Sequence, residues 1–73
     1  MSDRFVEITQ DGQHLALYRG FLRVMRQGEA AARVPLADLA AVIVHAHGVT
    51  YTNSLVVALA NRGIALVLSD DSH

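Results

Sequence analysis

The chain has no cysteine, no lysine and a single proline in 73 residues. Without cysteine there are neither disulfides nor thiolate zinc ligands to staple a domain this small. Without lysine, all six basic charges are arginine guanidiniums, planar forks that suit paired contacts to carboxylate or phosphate. Neither sign of charge dominates. Six arginines against seven Asp and Glu give a net charge of −1 and an isoelectric point near 6.4, which argues against a domain whose main task is gripping phosphate. No apolar run approaches the roughly 18 residues that span a bilayer, so no membrane association is expected. Met1-Ser2-Asp3-Arg4 leads straight into an alternating segment instead of a signal peptide, and a cytoplasmic protein is expected. A phosphate-cradling glycine loop, a G-x-S-x-G elbow and a paired-glutamate spacing are also missing, which leaves no recognisable catalytic arrangement.

What is present reads as one small globular domain. Apolar residues make up 52% of the chain and charged ones 18%, a composition that buries a core and does not remain disordered. Eleven of the apolar residues are alanine, however. The larger side chains are too few to stabilise so short a chain comfortably, and further burial against a partner surface is expected.

The hydrophobic pattern changes period along the chain. In RFVEIT, Arg4 to Thr9, Val6 and Ile8 alternate with Phe5 and Glu7, which predicts a strand. QDGQ, Gln10 to Gln13, is turn chemistry and predicts a hairpin into HLALY, His14 to Tyr18. Arg19-Gly20 turns again into FLRVM, Phe21 to Met25, and Gln27-Gly28-Glu29 ends that strand. Ala31 to Val34 reads as a short return strand closed by Pro35, and PLADL as one helical turn. AAVIV, Ala40 to Val44, is apolar without alternation, as in a central strand covered on both faces. A helix follows, capped by Thr50 or Thr52, with Leu55, Val56, Leu59 and Ala60 on one face. Asn61-Arg62-Gly63 stops it, and IALVL, Ile64 to Leu68, predicts a second fully covered strand. The class is α+β: a small β-rich domain of hairpin or sandwich-like strands with one main helix packed on the sheet. Val34, Leu36 and Ile43 are candidate core positions.

Few residues carry chemistry. His45 and His47 flank Ala46 and, on extended chain, point the same way, so with Asp70 and Asp71 they form a candidate metal-dependent hydrolase. The competing reading, a strand leaving the core into a solvated loop and a solvated terminus, is preferred. Arg19, Arg23 and Arg26 are candidates to line one surface, with Arg23 alternating with Leu22 and Val24 toward solvent. Gln13 and His14 fall at the tip of the first predicted hairpin.

The order GFLRV, VPLADLAAVIV and GVTYTNSLVVALANRGIALVLSDDSH resembles the N-terminal domain of the CRISPR-associated spacer-acquisition integrase, the first-numbered Cas protein. Val34 to Leu39 and Asn61 to Ile64 fit its pattern, and the Asp70-Asp71-Ser72-His73 ending is closest to the type II branch. The resemblance implies that residues 1–73 are a β-rich dimerisation domain, normally followed by a helical domain that carries the catalytic glutamate, histidine and aspartate and binds Mg²⁺ or Mn²⁺. It therefore implies no catalytic residue, metal site or cofactor in this chain, and His73 does not become the family's metal ligand. The implied partners are a second copy, double-stranded DNA and, through the helical domain, the small second-numbered Cas protein. Some members press an aromatic from the first hairpin against the duplex end. Here that turn, Gln10 to His14, has none, and Gln13 and His14 stand as the implied DNA contacts, with Arg23 a third candidate from its alternation toward solvent. The runner-up readings are the hydrolase above and a stand-alone interaction domain.

Overall fold

The computed structural model describes residues 4–69. Seven strands and one helix run in the order β1 (Arg4–Ile8), β2 (His14–Tyr18), β3 (Phe21–Arg26), β4 (Glu29–Pro35), β5 (Leu39–Val44), β6 (Thr50–Tyr51), α1 (Asn53–Asn61) and β7 (Ala65–Leu68). A single 3₁₀ turn, Leu36–Asp38, joins β4 to β5. The strands form two sheets. One is three-stranded and parallel, in the order β1-β5-β7; the other is four-stranded, in the order β4-β3-β2-β6. The domain is α+β, as the period changes predict.

The second sheet grows from two tight turns. Arg19 and Gly20 have φ of 50° and 79°, and Gln27 and Gly28 have 53° and 81°. Positive φ at both central residues matches the right-handed twist of the strands that each turn joins. β3 thereby pairs antiparallel with β2 and with β4. Between Val24 and Met25 the β4 register slips by one residue, since Val24 pairs with Ala32 and Met25 with Ala30. Ala31 is the extra residue of that bulge.

Leu15, Leu22, Leu39, Val42, Leu55 and Leu59 are fully buried in one core that joins both sheets and the helix. β5 is the central strand of its sheet. Neighbours on both sides and mostly buried residues explain its unbroken apolar run. The helix is capped by Thr52, whose hydroxyl accepts the Leu55 amide at 3.2 Å, and ends at Gly63 with φ 70°.

Several expectations need correction. The QDGQ turn does not close a hairpin: β1 pairs parallel with β5, and β2 lies in the other sheet. The turn instead meets the loop after β5, with the Gly12 amide donating to the His47 carbonyl at 3.0 Å and the His47 amide donating to Asp11 Oδ1 at 2.9 Å. Thr50 is not the cap, because it lies in the two-residue strand β6, parallel to β2. On α1 only Leu55 and Leu59 are buried, while Val56 and Ala60 face outward. Ile64 is buried, but the strand after it is an edge on which Val67 and Leu68 are 46% and 59% exposed. Val34 and Leu36 belong to the core, whereas Ile43 is half-buried.

Candidate nucleic-acid interface

Period-two alternation divides the four-stranded sheet into two faces. Leu15, Leu22, Val24 and Val34 point into the core. The opposite face carries Ala16 and Tyr18 from β2, Phe21 and Arg23 from β3, and Arg33 from β4. Tyr18 is the register partner of Phe21, and Arg23 pairs with Ala16 on one side and Arg33 on the other. The Arg23 and Arg19 guanidinium carbons lie 4.9 Å and 5.4 Å from the Tyr18 ring centroid, and that of Arg33 lies 5.7 Å from Phe21. All three are within the roughly 6 Å at which a cation is attracted to a ring. A cleft of 470 Å³ lies over this face, walled by Tyr18, Phe21, Arg23 and Arg33 and floored by the alanines of β4.

The residues singled out in the sequence do not converge. Arg23 is at the centre of this face. His14 starts β2 on the same side, and its Nδ1 shares a 2.6 Å hydrogen bond with Thr50 Oγ1 of β6. Gln13, expected at an exposed tip, is only 8% exposed, and its carbonyl accepts the Thr50 amide at 3.1 Å. It borders a separate 430 Å³ cleft between the sheets, together with Val6, Ile8, Val24, Val34 and Arg26. Arg26 leaves the proposed arginine surface for this cleft, and its Nη1 donates to Gln10 Oε1 at 2.8 Å. Arg33 takes its place. Sequence reasoning missed Tyr18, Phe21 and Arg33. The two-residue alternation of FLRVMR already set Arg26 opposite Arg23, but Arg33 needed the strand register.

His45 and His47 follow β5 on irregular chain and not on an extended strand. His45 Nδ1 lies 3.0 Å from Ser69 Oγ, and the His45 amide donates to the Ile8 carbonyl at 2.8 Å. His47 borders a 280 Å³ cleft with Val49, Tyr51, Leu68 and Ser69. Asp70, Asp71 and His73 lie outside the described residues. Among the described residues no three His, Asp or Glu side chains are grouped to hold a metal ion, and none of their helices is long and apolar enough to cross a membrane.

Fold and face together define a class: a two-sheet α+β module whose chemistry lies on its surfaces. The family is named by a match of residues 6–73 to the family model for CRISPR associated protein Cas1, and the chain belongs to that family. Its setting is CRISPR spacer acquisition, and the family comprises metal-dependent nucleases and integrases that work on DNA. The described residues do not themselves fit the divalent metal that this chemistry uses. No protein of curated function matches the chain.

Proposed function

We propose that this chain is the N-terminal dimerisation domain of a spacer-acquisition integrase, holding two copies together and lying beside the end of the captured duplex. On this reading catalysis, Mg²⁺ or Mn²⁺ binding and contact with Cas2 reside in a following helical domain.

The exposed apolar surface carries the proposal. Among the described residues, four of the six large apolar side chains left exposed, Val56, Val57, Val67 and Leu68, sit on α1 and β7, which pack against each other. β7 is also the outer strand of its sheet. Its unpaired main-chain donors and acceptors are a template for another strand. The same stretch, ALVL, has no charge, proline or glycine to discourage pairing. A second copy turned about a two-fold axis offers the same neutral strand in the antiparallel sense, which makes the surface self-complementary. His14, half-buried on the sheet face reached from the Gln10–His14 turn, is the residue favoured for contact with the duplex end.

Sedimentation equilibrium tests this. The chain is expected to sediment as a dimer, and Val67→Glu is expected to shift it to monomer while the circular dichroism spectrum holds. An unchanged dimer affinity in that variant overturns the reading.

A further inference from the structure

The outer face of the four-stranded sheet breaks a rule of strand pairing. Arg23 and Arg33 are direct register partners on adjacent antiparallel strands, so their Cβ atoms are about 5 Å apart and the two like charges destabilise the pair. No relief comes from the neighbours: among the described residues, the outward positions of β2, β3 and β4, and Thr50 of β6 beside His14, carry no Asp or Glu. A third cation is brought in at a further cost. Arg19 occupies the left-handed turn position, at φ 50°, where Gly, Asn or Asp is favoured, and its guanidinium lies over Tyr18. A long side chain held there and two opposed arginines are local conflicts of the kind that mark functional positions. An anion seated between Arg23 and Arg33 removes the second of them.

The rest of the face says which anion. Tyr18 and Phe21 are adjacent register partners on the two middle strands, and the guanidinium carbons of Arg23 and Arg33 lie 4.9 Å and 5.7 Å from their ring centroids. Rings and guanidiniums are stacking surfaces for unpaired bases, and arginine pairs with the phosphates between them. The alanine floor from Ala30 to Ala32 leaves a 470 Å³ cleft open above β4, a size typical of small-ligand sites. A blunt duplex presents phosphates along its length but bares only the face of the terminal pair at each end, so it cannot offer stackable bases on both sides of a clamped phosphate. A polyglutamate chain presents carboxylates but no aromatic ring to stack.

The geometry points to a binding site for single-stranded nucleic acid, in which Arg23 and Arg33 clamp a backbone phosphate and Tyr18 and Phe21 stack the flanking bases. Arg19 holds the edge of the Tyr18 platform. The site rests on the reading of this domain as one that lies beside DNA, but it does not depend on the dimer.

Fluorescence anisotropy of a labelled oligothymidylate, at low salt and with the full chain, tests it. Binding is expected, and an abasic strand of equal length should bind about tenfold more weakly, as should the oligonucleotide to Tyr18→Ala or Phe21→Ala. The decisive variant is Arg33→Glu. It sets opposite charges across the strands, so its melting midpoint is expected to rise while affinity falls by tenfold or more. Arg33→Gln, which keeps the size without the charge, should weaken the salt dependence by about 0.7 in log–log slope. The proposal is overturned if the wild-type chain does not bind. It is equally overturned if Arg33→Glu binds unchanged, or if a blunt duplex or polyglutamate competes as well as the single strand. Sedimentation of the same samples separates the two readings: a dimer that ignores the oligonucleotide removes this site and leaves the dimerisation proposal standing.

Discussion

Asp11 and His47, 36 residues apart, join the two sheets through a loop-to-loop hydrogen bond: Asp11 Oδ1 accepts the His47 amide at 2.9 Å. The adjacent Gly12 amide donates to the His47 carbonyl at 3.0 Å, so one residue of the β5–β6 loop is held from both sides. Asp11 belongs to the turn that leaves the parallel sheet for the four-stranded one, and His47 to the loop that makes the same crossing later in the chain. Asp11→Ala is expected to cost about 1 kcal/mol, less than the roughly 1.5–3 kcal/mol of a bond to a charged acceptor, because the pair is exposed. Asp11→Asn keeps an acceptor and should recover most of it. Urea denaturation of the three proteins at one concentration measures the difference, and equal midpoints would remove this contact as a determinant of how the sheets are joined.

The two candidate caps are separated by their partners. Thr52 Oγ1 accepts the Leu55 amide at 3.2 Å and also the Ser54 hydroxyl at 3.3 Å, whereas Thr50 Oγ1 is bonded to His14 in β2. Thr52→Ala is therefore expected to cost about 1 kcal/mol of stability, with the loss centred on α1. Thr50→Val keeps the β-branched shape that suits β6 and should leave the helix untouched while freeing the His14 ring. Hydrogen exchange of the Leu55 amide reads the distinction directly: faster in Thr52→Ala, unchanged in Thr50→Val.

Core truncations should rank by what surrounds each side chain. Leu22, fully buried on β3, and Leu36, at the corner between the sheets, are expected to lose about 2–5 kcal/mol on change to alanine. Ile43 points away from that core. It is half-buried on the outer face of the parallel sheet, in register with Glu7 and Val67, and its truncation should cost less than that of Leu36. His14→Ala should leave the core intact. If Ile43→Ala destabilises as much as Leu22→Ala in dilute monomer, the outer face is more completely covered than its exposure indicates.

These contrasts show where the sequence is informative. Local turns are legible, because Arg19-Gly20 and Gln27-Gly28 need particular backbone angles and join strands that then pair with each other. The helix start and stop are legible for the same reason. Parallel pairing is not. Asp11-Gly12 shows that the chain reverses, but nothing nearby shows that β1 will seek β5 some 35 residues later. β6, with two residues, is too short to have a period. The apolar run of β7 suggested burial on both faces, yet the described residues leave Val67 and Leu68 exposed. On the binding face, Arg23 was legible from alternation within β3. Arg33 was not, because its place opposite Arg23 depends on register after the bulge at Ala31.

Folding and association should be linked. If β7 and α1 bury Val56, Val57, Val67 and Leu68 against a second copy, the folded dimer is favoured over unfolded chains by mass action, and its melting midpoint must rise with protein concentration. A monomer would melt at one temperature throughout. Val67→Glu separates the contributions, since its side chain is 46% exposed and outside the core. The variant is expected to keep the stability the parent has at high dilution and to lose the concentration dependence. Leu59→Ala should behave in the opposite way: its side chain is 1% exposed within the core, so the midpoint falls at every concentration while the slope with concentration remains. Thermal melts of the three proteins across a wide dilution series distinguish these patterns. A parent whose midpoint does not move with concentration would show that the strip along β7 is not where copies meet.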